Sequence, residues 1–210
     1  MKLTIFGASG RTGRPLMMQA LDAGHEVTAF VRTPAKLDVQ HENLTVMQGD
    51  VRNPTQVETA VTGADAVLSV LGPTANTPDY QVCQGTEHIL TAMKKHGVRR
   101  LVISAGAGVG DPADAPRPVN KLINLLLRLV SPHVYEDMKR TVDLVRASDL
   151  DWTIVRVPRL TDDPPTGQVK TAYVGKGMGM RIRRADMASF MLQQVDDTRF
   201  IRQAPAISNM

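Results

Sequence analysis

Residues 2–15, Lys2-Leu3-Thr4-Ile5-Phe6-Gly7-Ala8-Ser9-Gly10-Arg11-Thr12-Gly13-Arg14-Pro15, admit few folds. An apolar strand runs without a spacer into three glycines three apart, and the glycines run into a helix. A turn without Cβ atoms at Gly7, Gly10 and Gly13 lets backbone N–H groups at a helix N-terminus approach a pyrophosphate. Pro15 suits the first helical turn, where its missing N–H is not needed. Glycine spacing by itself also fits a turn that holds nothing, but a strand before and a helix after are the context of a dinucleotide-binding turn. The expected contacts of such a ligand in this loop are Gly7, Ser9, Gly10, Arg11, Thr12 and Gly13.

Further along, short apolar or β-branched runs recur at Val27–Val31, Leu44–Met47, Ala66–Val70, Leu101–Ser104 and Trp152–Arg156. These are the runs expected of strands buried on both faces of a parallel sheet. Helical spacing appears over Arg14–Ala23 before Gly24, over Thr86–His96 before Gly97, and over Glu136–Ser148. The reading is α/β: a Rossmann-type, doubly wound parallel sheet. Right-handed crossovers put every strand C-terminus on one edge of that sheet, where a ligand is expected.

With 210 residues and 42% hydrophobic content, the chain makes one buried core, so residues 1–210 are read as a single domain with a small C-terminal substrate-covering region. Cys83 is the one cysteine, which excludes an internal disulfide and points to a reducing, cytoplasmic setting. No basic, apolar leader precedes the first strand, and the run Leu122–Val130 is too short to span a bilayer, so no membrane partner is expected. The net charge is +4, but the cations are scattered, aromatics are 4%, and no nucleic-acid-binding signature appears. That balance suits a phosphate-bearing cofactor and acidic small molecules instead. His and Cys show no metal-ligand spacing.

Two segments break the rhythm. Residues 106–118 are rich in Gly, Pro and Asp and lead into a mostly apolar helix at Val119–Val130, on which Asn120, Asn124 and Arg128 make a narrow polar stripe. Such a helix is expected to bury most of its surface, by covering a substrate site, by pairing with another subunit or by ordinary packing. Residues 158–179 carry several Pro and Gly around a strand expected at Gln168–Val174, as a loop closing over a ligand would. Arg184–Val195 reads as a capping helix.

The residue ending the second strand chooses the cofactor: a carboxylate there binds ribose hydroxyls, whereas Arg pairs with a 2′-phosphate. Here the strand ends in Arg32, with Arg11 in the glycine loop as a second guanidinium, so NADP(H) is expected. The alternative is that both cations are merely solvated.

The glycine loop, Arg32, Gly49-Asp50-Val51, Leu71-Gly72, Ser104, Trp152–Pro158 and the helix start Arg183–Phe190 together resemble the atypical short-chain dehydrogenase/reductases. Within them the chain is similar to the flavin reductase/biliverdin-IXβ reductase group and its NAD(P)H-binding relatives. The resemblance implies that Asp50 and Val51 flank the adenine, Leu71 and Gly72 lie by the nicotinamide ribose, and Ser104 and Pro158 border the nicotinamide. Asp50 as a helix cap and Ser104 as a strand-end hydrogen bonder are the structural alternatives. It also implies an NADPH-dependent reductase passing hydride to a flavin, tetrapyrrole or quinone-like acceptor. Biliverdin-reducing relatives carry His after the proline, where this chain has Arg159, a cation suited to a propionate or flavin phosphate. Met17, Met138, Met178 and Met180 offer either an adaptable apolar platform or ordinary core filling, and Arg159 and Met180 are the expected acceptor contacts.

Ser104, Tyr135 and Lys139 match the residue types of the Ser–Tyr–Lys catalytic set of this superfamily. Tyr135 and Lys139 are four apart, on one helical face, so a lysine could activate the phenol for carbonyl chemistry. Three readings follow: the flavin-type reductase, a non-enzymatic NADP(H)-sensing regulator, and a carbonyl reductase or epimerase using those three residues. Monomer and homodimer both remain open.

Overall fold

The structure, a computed structural model, describes residues 1–209. Its central sheet has eight strands. They are β1 (Lys2–Phe6), β2 (Glu26–Val31), β3 (Leu44–Gln48), β4 (Ala66–Ser69), β5 (Arg100–Gly106), β6 (Asp151–Val157), β8 (Lys170–Ala172) and β10 (Ala206–Ser208). Their spatial order is β3-β2-β1-β4-β5-β6-β10-β8. All pairs are parallel except β10 with β8. The first six strands thus follow the doubly wound dinucleotide order, with its switch point between β1 and β4. Two three-residue strands, β7 (Arg159–Thr161) and β9 (Arg181–Arg183), pair separately.

Alternation along each strand feeds two cores. Leu3 and Ile5 of β1, Val102 of β5 and Val155 of β6 face α1 (Gly13–Asp22) and α6 (Arg184–Gln193). Phe6, Leu101, Ile103 and Ile154 face α2 (Pro54–Val61), α3 (Gln81–His96) and α5 (Pro132–Ala147). Each such side chain contributes about 1.5–3 kcal/mol by leaving water.

The sequence reading gave no bounds for α2, which Asn53 starts by accepting the N–H groups of Thr55 and Gln56. It also missed β7, β9 and β10, three-residue strands too short to show a period. α3 and α5 begin about a turn earlier than their apolar spacing indicated. The strand expected over Gln168–Val174 contracts to β8.

α4 (Pro118–Val130) corrects an expectation. The helix was expected to bury most of its surface, yet none of its residues is buried, and Leu129 and Val130 are 70% and 74% exposed. It leans on α5 beyond the sheet edge, where one helix can cover only one of its faces.

A buried ion pair ties the segments around α4 and β8 to the sheet. Asp114 takes a bidentate bond from Arg156 (2.6 and 2.9 Å), whose side chain is fully buried in β6, and accepts the Val174 N–H at 2.9 Å. Arg156 also donates to the Ala204 carbonyl. Residues 106–118 and 170–179 are thereby pinned to β6.

Candidate functional site

Three cavities adjoin along the C-terminal edge of the sheet. The first, about 190 Å³, lies beyond β1 and β2 among Gly7, Ser9, Gly10, Arg32, Asp50, Val51, Leu71 and Gly72. The second, about 590 Å³, runs over the glycine loop past Leu71 and Gly72 to Ser104, Gly106 and Pro158. The third, about 470 Å³, continues from Gly106, Met138, Val157 and Pro158 to Tyr135, Arg159, Met178, Met180 and one face of α4. Shared walls make these one trough, crossing the sheet at its switch point.

The glycine loop has the shape a pyrophosphate needs. Gly7 has φ +83°, and its carbonyl accepts the Gly10 N–H at 2.9 Å. A Cβ on Gly13 would stand 2.0 Å from the Gly7 carbonyl oxygen, so only glycine lets α1 sit this close to β1. Thr12 supplies no side-chain cap; the Arg14 N–H donates to the Gly10 carbonyl at 2.9 Å and Pro15 has no N–H, so in the first turn of α1 the Gly13 N–H, in a residue lining the second cavity, is the one left without a backbone acceptor. A Cβ on Gly72 would meet no protein atom within 4 Å and would enter the trough. These features fit a dinucleotide laid across the switch point.

Three arginines stand around this cradle. Arg32 is exposed at the end of β2 and lines the first cavity. Arg11 sits instead over the second, with its guanidinium 3.4 Å from Asp162. Arg184, which the sequence did not single out, binds Asp162 at 2.7 Å and lies 3.3 Å from the Thr12 hydroxyl, beside the start of α1. Only position along the chain hid it, since α6 follows the loop by more than 160 residues.

Asp50 is no helix cap; that task falls to Asn53. Its carboxylate is held by hydrogen bonds from Arg52, which lower its pKa from 3.8 to about 2. A carboxyl with a depressed folded pKa contributes stability fully above its unfolded value and loses it as pH falls through the folded one. We therefore expect Asp50→Asn to flatten acid unfolding slightly between pH 3.8 and about 2 and to cost a correspondingly small amount of stability at pH 7, because the pair is partly solvated. Titration followed by circular dichroism measures this.

The Ser–Tyr–Lys set is rearranged. Ser104 lines the second cavity, and Tyr135, 8% exposed, lines the third. Lys139 does not serve the phenol: its ammonium donates to Asp143 at 2.5 Å on the outer face of α5, a bond that also raises its pKa. The cation at Tyr135 is Arg128 of α4, which donates to the phenol oxygen at 2.7 Å and lies 4.6 Å from the ring centre. Because that oxygen accepts from Arg128, its own proton is free to turn into the cavity. Met138 faces the site as well, with its sulfur accepting the Gly106 N–H at 2.9 Å. Arg159 and Met180 are exposed at the cavity rim, whereas Met17 is wholly buried in the core.

Cys83 offers no reactive thiolate, since burial and then Asp137 push its pKa up. Among the described residues no cluster of three or more His, Cys, Asp or Glu is arranged for a metal, and no helix is long and apolar enough to cross a membrane.

Residues 7–198 match the family model described as NAD(P)H-binding. The chain is 32% identical over 120 residues to a 3-beta-hydroxysteroid dehydrogenase of Mycolicibacterium neoaurum, a match covering 51% of this chain and 32% of that protein. The chain thus spans about a third of that relative's length. In fold it is similar to a short-chain dehydrogenase/reductase from Veillonella parvula in complex with NADP, with TM-score 0.80 and 22% identity over 99% of this chain and 94% of that one. It is also similar to ChuY, an anaerobillin reductase from Escherichia coli O157:H7, with TM-score 0.82 and 19% identity over 100% and 97%.

Proposed function

Because the chain belongs to the NAD(P)H-binding family, we propose that it is an NADPH-dependent reductase that passes hydride to a flat, largely apolar acceptor such as a flavin, a linear tetrapyrrole or a quinone. The observation that carries this reading is the continuity of the trough: a nucleotide cradle opens at Gly106 and Pro158 straight into an apolar cavity of about 470 Å³. When bound, the nicotinamide supplies the hydride. The chain's own part is alignment. Ser104 and Pro158 border the reacting end, Met138 and Met178 form an adaptable wall for a ring, and α4 screens it from water. Arg159 at the rim suits a carboxylate or phosphate on the acceptor.

The Mycolicibacterium relative acts on a hydroxysteroid by its name, and the buried phenol of Tyr135 favours carbonyl reduction as a second reading, with Tyr135 as proton donor and Arg128 as its positioning residue. Tyr135→Phe separates the two. A flavin or quinone acceptor takes its proton from water, so its turnover should hold within about threefold. A carbonyl acceptor should lose about a hundredfold or more in kcat.

The deciding assay follows NADPH and NADH oxidation with FMN, FAD, riboflavin, biliverdin, menadione and a ketosteroid. Turnover of a ring acceptor supports the proposal; tight NADP binding without turnover of any of them replaces it with a sensor role. In the same assay Arg32→Ser should weaken NADPH about tenfold and leave NADH unchanged, the effect of removing one charge-assisted contact to an exposed 2′-phosphate. Equal losses for both nucleotides would remove Arg32 from phosphate recognition.

A further inference from the structure

Apolar exposure on this protein is concentrated rather than scattered. Of the large hydrophobic side chains exposed among the described residues, eight lie on α4, and a ninth, Met180, lies on the rim of the cavity that α4 walls. Ile123 and Leu127 face that cavity, while Leu122, Leu125, Leu126 and Leu129 form a second stripe at i, i+3, i+4 and i+7 that nothing covers. Contiguous apolar patches of this kind mark a docking surface.

Charge identifies what docks there. Segments 115–135 and 168–185, which carry α4 and the opposite rim, contain no Asp or Glu. Their exposed cations are Arg117, Lys121, Arg128, Lys170, Lys176 and Arg181. A second copy of the chain is a poor partner, because a two-fold contact through α4 would set cations against cations with no acid between them. A partner that is apolar inside and negative at its surface satisfies both features. α4 has 13 residues, about 20 Å of helix, too short to span a bilayer but suited to lying in its interface.

We infer that α4 and the Lys176–Arg181 rim dock the protein on an anionic lipid surface, with the acceptor cavity opening into the lipid. The acceptor is then a lipid-dissolved quinone: it takes a hydride from NADPH and one proton from water, leaving quinol and NADP⁺. The acceptor's identity rests on the reductase reading above; the docking does not.

The test uses the full chain and vesicles of phosphatidylcholine with and without phosphatidylglycerol, read by co-sedimentation. Each cation near such a surface strengthens binding roughly fivefold, so partition should favour the anionic vesicles strongly and weaken as salt rises. Leu125→Gln/Leu129→Gln, on the stripe that faces away from the cavity, should lower it about tenfold or more with an unchanged melting temperature. Absence of binding to the anionic vesicles overturns the inference, as does binding that the double variant leaves intact. A dimer in sedimentation velocity that the same variant dissociates, without vesicle binding, reassigns the face to self-association. Menadione reduction in vesicle-free buffer tests the reductase reading separately. If menadione is reduced there and quinone held in anionic vesicles is reduced no faster than in neutral ones, the lipid-acceptor assignment fails while the reductase stands.

Discussion

Asp114→Ala should lower the stability of the protein by about 3–5 kcal/mol, the usual loss when one partner of a buried ion pair is removed and the other charge stays behind. Arg156 has no exposed side-chain surface, and Asp114 is its sole carboxylate partner among the described residues. Its remaining bond, to the Ala204 carbonyl, cannot offset a desolvated guanidinium. Urea unfolding measures the loss. A change under about 1 kcal/mol would mean that water reaches the pair. Replacing both partners, Asp114→Leu with Arg156→Met, should recover most of the stability, because an apolar pair of similar volume carries no desolvation cost. On the proposed reading the single variant should also weaken acceptor binding, since Asp114 holds the Val174 N–H in the wall of the apolar cavity beside α4.

Gly13→Ala should cost about 3 kcal/mol and abolish measurable NADPH binding. The added methyl would sit 2.0 Å from the Gly7 carbonyl oxygen and 2.7 Å from the Ala8 Cα. Both obstacles are backbone, so neither can rotate away, and the start of α1 must retreat from β1. The N–H groups that approach a pyrophosphate retreat with it. Gly72→Ala is the informative contrast: its methyl meets no protein atom but enters the trough. It should leave the unfolding curve unchanged and still weaken NADPH in a fluorescence titration. If Gly72→Ala binds NADPH normally, the nucleotide does not run past Leu71 and Gly72.

How far the chain could be read without its fold depends on the range of each interaction. The glycine loop was legible because its constraints are local: a positive φ at Gly7 and a close approach at Gly13 are needed wherever a strand turns this tightly into a helix. The parallel strands were legible because burial on both faces leaves near-continuous apolar or β-branched runs such as Leu3–Phe6 and Ala66–Leu68. β7, β9 and β10 were not, since three residues in a strand carry no period and their pairing partners lie far along the chain.

The site divides along the same line. Their four-residue spacing puts Tyr135 and Lys139 one turn apart along the same side of α5, but it does not say which of the two the rest of the fold covers. Only the packing of α5 turns Tyr135 inward and leaves Lys139 outside with Asp143, so that the cation on the phenol comes from another helix. Likewise Arg156 stands in an apolar strand with nothing nearby to pair it; its acid is supplied by a loop 42 residues away. The sequence by itself determined the doubly wound architecture and the nucleotide cradle, because both follow from local backbone geometry and strand patterning. Only the tertiary structure decided which side chains line the apolar cavity beside the nucleotide cradle and which apolar face of α4 stays bare, because those depend on how distant segments meet at one edge of the sheet.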